Sequence, residues 1–324
     1  MPDWTDVLKE IQNAIGSHSA QAQIHNQAAQ GAIDAVRRKY LQALRDNTGR
    51  NVIAYYSGFL SKPDAPMLGI SDEDKNGFMM AVHSIGSQDR RRGLDLILHT
   101  PGGSIAATES LVDYLRRIFG NDIRAIVPQI AMSAGTMIAC SCKEILLSRH
   151  ANLGPIDPQL GNLPAYGVKE EFKRACKEVK ADPSKIPIWQ AIIGRYGPTF
   201  LSQCENSIDW SKRFVEKELE EVMFEGDPEA AKKAKKIVKR LTDYGGNKTH
   251  ARHIHFDELR DMGLKVSLIE DDQEFQDVVL TVHHCFMHSL MNTPAFKMIE
   301  NHKGSAFVKQ QFIQPVMMQP VQRA

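Results

Sequence analysis

The chain has 324 residues, 42% of them hydrophobic and 24% charged, which is ample for a sizeable core and typical of a water-soluble globular protein. A formal net charge of +1 gives no global case for binding nucleic acid, and no window approaches the ~18 consecutive apolar residues of a spanning helix. The first residues carry acids early and lack a basic-then-apolar order, so no signal peptide is expected; five scattered cysteines without metal-ligand spacing read as reduced thiols of a cytoplasmic protein.

Residues 5–47 have helical periodicity, with Val7, Ile11, Ile15 and then Ile33, Val36, Tyr40 and Leu44 on one side. Their Ala/Gln-rich middle thins the apolar face, which suggests a peripheral arm or an oligomer contact rather than part of the main core. Asn51 to Tyr56 reads as a first strand, and Ser71 with Asp74 as the start of a helix reaching about His83. The apolar run 94–99 is a second strand. It ends in Thr100-Pro101-Gly102-Gly103, and the spacing of Ile105, Leu111, Leu115 and Ile118 then predicts an amphipathic helix closed by Gly120. Ile123–Val127 is a third strand, 133–142 a buried helix of small residues, and 144–148 a fourth strand. Strand and helix alternating at short spacing argue for parallel βαβ units, an α/β fold.

Residues 151–165 are rich in Gly, Pro, Asn and Asp and read as an ordered loop, while 168–241 is almost entirely helical. Lys232, Lys233, Lys235, Lys236, Lys239 and Arg240 give the last of these helices a basic side, read as a solvated surface. Residues 244–247 form a turn, 255–262 a short helix, 265–269 a strand and 271–292 a closing helix. The histidines His250, His253, His255, His283, His284 and His288 include pairs at strand and helix spacing, but no HExxH pattern accompanies them. They read as surface and hydrogen-bonding residues, so neither metal nor cofactor is expected.

The two turns at strand ends carry the chemistry. Ser133 lies between Met132 and Ala134-Gly135 at the start of a helix, a context for an exposed nucleophile and equally for an N-cap. Two glycines directly after a buried strand suit a loop whose amides face a ligand, or else a bare tight turn. Together, nucleophile and anion-stabilising loop are what acyl transfer needs.

His99-Thr100-Pro101-Gly102-Gly103 followed by Ala131-Met132-Ser133-Ala134-Gly135-Thr136 resembles the Clp/crotonase superfamily, and more narrowly the serine dehydrogenase proteinase family, relatives of the signal peptide peptidases. Stretches 48–58, 94–109, 126–139, 153–161 and 255–264 share the resemblance, which spans about 48 to 269. It implies a Clp/crotonase-like spiral of βαβ units carrying an N-terminal helical arm (1–47), a protease domain (48–292) with a helical insertion at about 168–242, and a C-terminal tail (293–324). It also implies a serine endopeptidase working through an acyl-enzyme on peptide substrates. Ser133 would be the nucleophile, the amides of Gly103 and Ala134 the oxyanion hole, and the 102–106 edge the partner of an extended peptide.

The proton acceptor departs from the family pattern. Clp proteases place a histidine about twenty-five residues after the serine, whereas this chain has Asp157-Pro158 there. Signal peptide peptidases use a lysine about fifty residues on, which points to Lys185 beside the apolar Ile186-Pro187-Ile188-Trp189, or to an exposed loop lysine at that position. Lys173, Lys169 and His150 are rival bases, Asp157 a residue to orient one of them, and His99 a structural histidine. Two other readings stay open: a crotonase-type acyl-CoA enzyme using the same amides, and a non-catalytic assembly subunit. A homo-oligomer is expected from the resemblance and from helices in excess of a compact core. Neither nucleic acid nor an integral membrane segment is expected, and no phosphate-loop pattern appears.

Overall fold

The computed structural model describes residues 3–16, 22–161, 163–243 and 249–311. In chain order its strands are β1 (Asn51–Ser57), β2 (Leu94–His99), β3 (Ile123–Val127), β4 (Ile130–Ala131), β5 (Glu144–Leu147), β6 (Asn152–Leu153), β7 (Gln159–Leu160), β8 (Leu163–Pro164), β9 (Ile254–His255), β10 (Val266–Leu268), β11 (Ala295–Asn301) and β12 (Ala306–Gln310). The main sheet runs β10-β5-β3-β2-β1-β11-β12. Its first five members are parallel, and β11 and β12 are added antiparallel. A smaller sheet, β4-β6-β9, stands beside the carboxyl ends of β2 and β3. This is the α/β, Clp-like architecture expected.

Both faces of the main strands are apolar, as a covered parallel sheet requires. Ile53, Tyr55, Leu96, Leu98, Ala125 and Ile145 face one layer. That layer is built from α3 (Asp74–His83), α5 (Ile105–Phe119) and α6 (Ala134–Cys140), together with later helices of the insertion; the four-residue α4 (Ser87–Arg90) contributes nothing buried. Val52, Ala54, Tyr56, Ile97, Ile126 and Leu146 face the other layer. The insertion comprises α7 (Ala165–Ala181), α8 (Ile186–Ile193), α9 (Phe200–Glu218) and α10 (Ala230–Leu241), and α11 (Phe256–Met262) and α12 (Gln273–Asn292) follow. It is divided: α7 and the start of α9 share a small cluster of their own, whereas Phe214 and Val215 of α9 and Ile237 and Val238 of α10 join the main core.

Two expectations change at the chain's ends. The N-terminal segment forms α1 (Trp4–Gly16) and α2 (Ala22–Thr48), and α2 is no peripheral arm at its carboxyl end. Leu41 and Leu44 sit in the second core with Val52 and α12, and the buried Arg37 guanidinium is paired with the buried Glu300 of β11. Of the expected tail, residues 295–310 are two strands of the main sheet, β11 pairing with β1 over Ile53–Asn301 to Ser57–Lys297. The alternation in AFKMIEN is broken by Lys297 and Glu300, which hides a strand from a hydropathy reading. Residues 312–324 and the turn expected at 244–247 lie outside the described residues.

Lys297 and Glu300 are buried because each has a charged partner, and the Lys297 pair reaches toward the functional end of the sheet. Lys297 Nζ donates to Asp74 Oδ2 at 2.9 Å and to Gly69 O at 2.6 Å, and both ionic side chains are fully buried. Asp74 also accepts from Tyr55 OH at 2.9 Å and from the Ser71 amide at 3.0 Å. These bonds fix the segment around Ile70, which bridges Gly103 as a short parallel strand. Removing one partner of a buried ion pair costs about 3–5 kcal/mol. Lys297→Met is therefore expected to lower the unfolding free energy from urea titration by that amount, and an unchanged free energy would show that the pair does not brace the sheet.

A second prediction concerns acid. His99, buried at the end of β2, donates from Nδ1 to Ser57 O and faces the Gln129 side-chain amide with Nε2, both at 3.1 Å. Burial pulls its pKa down to about 4, and burial pulls His283 of α12, whose ring lies 5.7 Å away, well below the ordinary histidine value. Both are neutral when folded and take up protons only on unfolding. Their stabilisation is complete above the unfolded value near 6.5 and is lost as pH falls from there toward 4, by up to about 1.4 kcal/mol per pH unit for each. Urea midpoints should fall between pH 7 and pH 5, and less steeply in His99→Gln; an equal slope would place the acid sensitivity elsewhere.

Candidate active site

The carboxyl ends of β2 and β4 are joined by backbone, with Thr100 N donating to Ile130 O at 3.1 Å and Met132 N to Thr100 O at 3.0 Å. Just beyond this bridge each chain turns sharply. Gly102 and Gly103 have φ of 106° and 154°. A side chain at Gly102 would meet Ser133 Cβ at 2.7 Å, and one at Gly103 would meet Ile70 N at 2.2 Å, so neither position tolerates a Cβ. Ser133 itself has φ 51° and ψ −113°, a conformation costing roughly 1–3 kcal/mol for a residue with a side chain. The turn is held by Gly135 N donating to Met132 O at 2.7 Å and by the Thr136 hydroxyl, which donates to Ala131 O and accepts from Gly154 N, both at 3.0 Å. Although Ser133 precedes α6, its hydroxyl makes no capping bond. The N-cap reading therefore loses its physical basis.

The Gly103 amide is oriented by its neighbours. Gly102 O accepts from Ile70 N at 2.7 Å, and Ser104 N donates to Ile70 O at 2.9 Å. In a trans peptide the N–H points opposite to the carbonyl, so the Gly103 N–H faces away from Ile70. On the Ser133 side, the nearest backbone to Gly102 includes the Ala134 nitrogen. Of the 102–106 edge expected to pair with an extended peptide, only 102–104 precede the helix. Ser104 is the N-cap of α5, accepting from Ala107 N at 3.3 Å, and helix begins at Ile105.

Ser133 and Gly103 line a cavity of about 360 Å³ whose far side includes Ile156, Trp210 and His250. His250 Nδ1 lies 2.7 Å from Asp157 Oδ1, and the other oxygen of that buried carboxylate accepts from Gln159 Nε2 at 3.2 Å. Donation from Nδ1–H to the carboxylate leaves Nε2 as the basic nitrogen of a neutral ring. β6 and β9 pair antiparallel, with Asn152 opposite His255 and Leu153 opposite Ile254, so the chain leaving β6 and the turn entering β9 lie at the same end of the small sheet.

The remaining sequence-predicted bases sit elsewhere. Lys185 lies on an exposed 3₁₀ turn, 3.3 Å from Glu178; Lys173 is paired with Glu170 at 2.6 Å and Lys169 with Glu205 at 3.2 Å. His150 is on an exposed turn after β5. None of the four lines the cavity with Ser133. His250 was passed over because its sequence signal was a scatter of histidines more than a hundred residues from the serine. The usable sign was the order Ser, Asp, His along the chain, which catalytic triads also adopt.

The chain matches the family of ClpP-like SDH-type serine proteinases over residues 23–300. It is 31% identical over 176 residues to an uncharacterised protein of Methanocaldococcus jannaschii; the alignment covers 54% of this chain and 52% of that one, so the chain spans about half of that relative's length. A second uncharacterised protein of the same organism is 28% identical over 239 residues, covering 72% of this chain and 74% of the relative. The ATP-dependent Clp protease proteolytic subunit 2 of Thermobifida fusca is 26% identical over 101 residues, 31% of this chain and 46% of that subunit. The family match covers most of the sequence and both turns of the site: the chain belongs to the ClpP-like SDH-type serine proteinase family.

Proposed function

We propose that this protein is a serine endopeptidase that cleaves peptides through an acyl-enzyme on Ser133. The observation that carries the reading is a strained serine whose hydroxyl caps nothing and opens into the same cavity as an imidazole anchored by a buried carboxylate. In this reading Ser133 Oγ attacks the scissile carbonyl and His250 Nε2 takes its proton. Asp157 holds the ring in the tautomer that makes this possible and stabilises the imidazolium. The Gly103 and Ala134 amides receive the developing oxyanion. The imidazolium then returns the proton to the leaving amine, and a water activated by the same ring releases the acid product.

His250 takes the role that the sequence assigned to Lys185. A lysine base needs a depressed pKa from burial. Lys185 is on the surface, 3.3 Å from Glu178, and does not line the cavity that holds Ser133. The kinship with Clp subunits is also our ground for proposing a homo-oligomer acting on peptide or protein substrates.

A fluorophosphonate probe should label the protein and should fail to label Ser133→Ala; labelling that persists in that variant removes Ser133 from the mechanism. His250→Gln and Asp157→Asn should each lower kcat for a fluorogenic peptide by on the order of 10⁴-fold with KM little changed. Lys185→Ala should leave the rate where it was. The reverse pattern, loss with Lys185→Ala and none with His250→Gln, would reinstate the lysine base.

A further inference from the structure

The cavity at Ser133 is closed on one side by the helical insertion rather than by the sheet. Ile105 and Ala106 of α5, Met137 of α6 and Ile156 give it apolar lining, and Ser207 and Trp210 of α9 line it from the insertion. The Trp210 indole is 41% exposed, yet it is not loose: its Nε1 donates to Glu109 Oε2, one turn into α5, at 2.8 Å. That bond spans from the insertion to the helix that begins at the glycine turn. A second hollow of about 580 Å³ shares Ala106 and Trp210 with the first. Its other lining residues include Asp113, Arg116, Arg117 and Lys217. Trp210 thus stands where the cavity at the serine adjoins a charged hollow, a position from which its ring can act as a partition.

We propose that Trp210, pinned by Glu109, sets the size and class of side chain accepted beside the scissile carbonyl. The inference rests on the peptidase reading given above. The apolar lining favours an apolar residue on the acyl side of the bond, and the indole limits how far a large side chain extends there. Tryptophan at the same position would have to displace the indole from Glu109. An apolar pocket distinguishes residues by contact and exclusion alone, so the discrimination expected from one wall is about tenfold, not the larger factors of hydrogen-bonded recognition.

The test uses the full chain and fluorogenic peptides that differ only in the residue before the scissile bond, alanine, leucine, methionine, phenylalanine or tryptophan. The readout is the ratio of kcat/KM for tryptophan to that for leucine within each variant, so that a general loss of rate cancels. Leucine should exceed tryptophan in the native protein. Trp210→Ala, which removes an exposed ring, should raise the ratio about tenfold by joining the two hollows. Glu109→Ala, which frees the ring without removing it, should raise it by a smaller factor. Hydrolysis that depends on Ser133 but keeps one ratio across all three proteins would overturn the partition and leave the peptidase reading standing. A native protein that neither cleaves any of the five peptides nor reacts with a fluorophosphonate would overturn both.

Discussion

Gly102 and Ser133 approach so closely that a single methyl group on the glycine would strike the serine's Cβ, and the arrangement of the whole site depends on that contact. It is possible because β2 and β4 exchange backbone hydrogen bonds immediately before their turns. Two turns fixed to one another by main chain have little freedom to drift apart. The strain at Ser133 is thus borne by Thr136, Gly135 and the β2–β4 bridge rather than by side chains that a substrate could displace. The positive φ is what separates this serine from an ordinary helix cap.

The glycine turn has a second support behind it. Ile70 holds Gly102 O and accepts from Ser104 N, and Ile70 is in turn placed by Gly69 on the buried Lys297. A buried ion pair is not obviously favourable in itself, since desolvation of both groups opposes the attraction. Asp74 offsets that cost by accepting from Tyr55, Ser71 and Lys297 together, leaving no oxygen of the carboxylate unmatched. The result joins β1, β11, α3 and the glycine turn in one rigid unit. A late strand, β11, therefore stands behind a loop nearly two hundred residues earlier in sequence.

The alternating core was legible in the sequence because parallel strands covered on both faces are near-continuous apolar runs bounded by Gly and Pro. The glycine pair and Ser133 were legible as turns for the same reason. What was not legible depends on partners remote in sequence. Lys297 and Glu300 look like surface residues until Asp74 and Arg37 are placed beside them. The amphipathic face of α2 looked too thin for a core helix, but its carboxyl half meets β1 and α12 through Leu41 and Leu44. Lys185 had the right company of apolar neighbours along the chain, yet in space it lies on the surface against Glu178 and away from the Ser133 cavity.

His250 and Asp157 show why the insertion is compatible with a precise site. The chain runs out from β6 through Asp157, passes through α7, α8, α9 and α10, and returns through His250 into β9. Because β6 and β9 pair antiparallel, everything between them is, topologically, the loop of a hairpin. His250 and Asp157 lie at the two ends of that loop and are joined by a 2.7 Å hydrogen bond, while α9 and α10 lay Phe214, Val215, Ile237 and Val238 on the main core. On the proposed mechanism the chemistry lies beyond the β2, β4, β6 and β9 ends, and Trp210 of α9 lines the same cavity from the insertion.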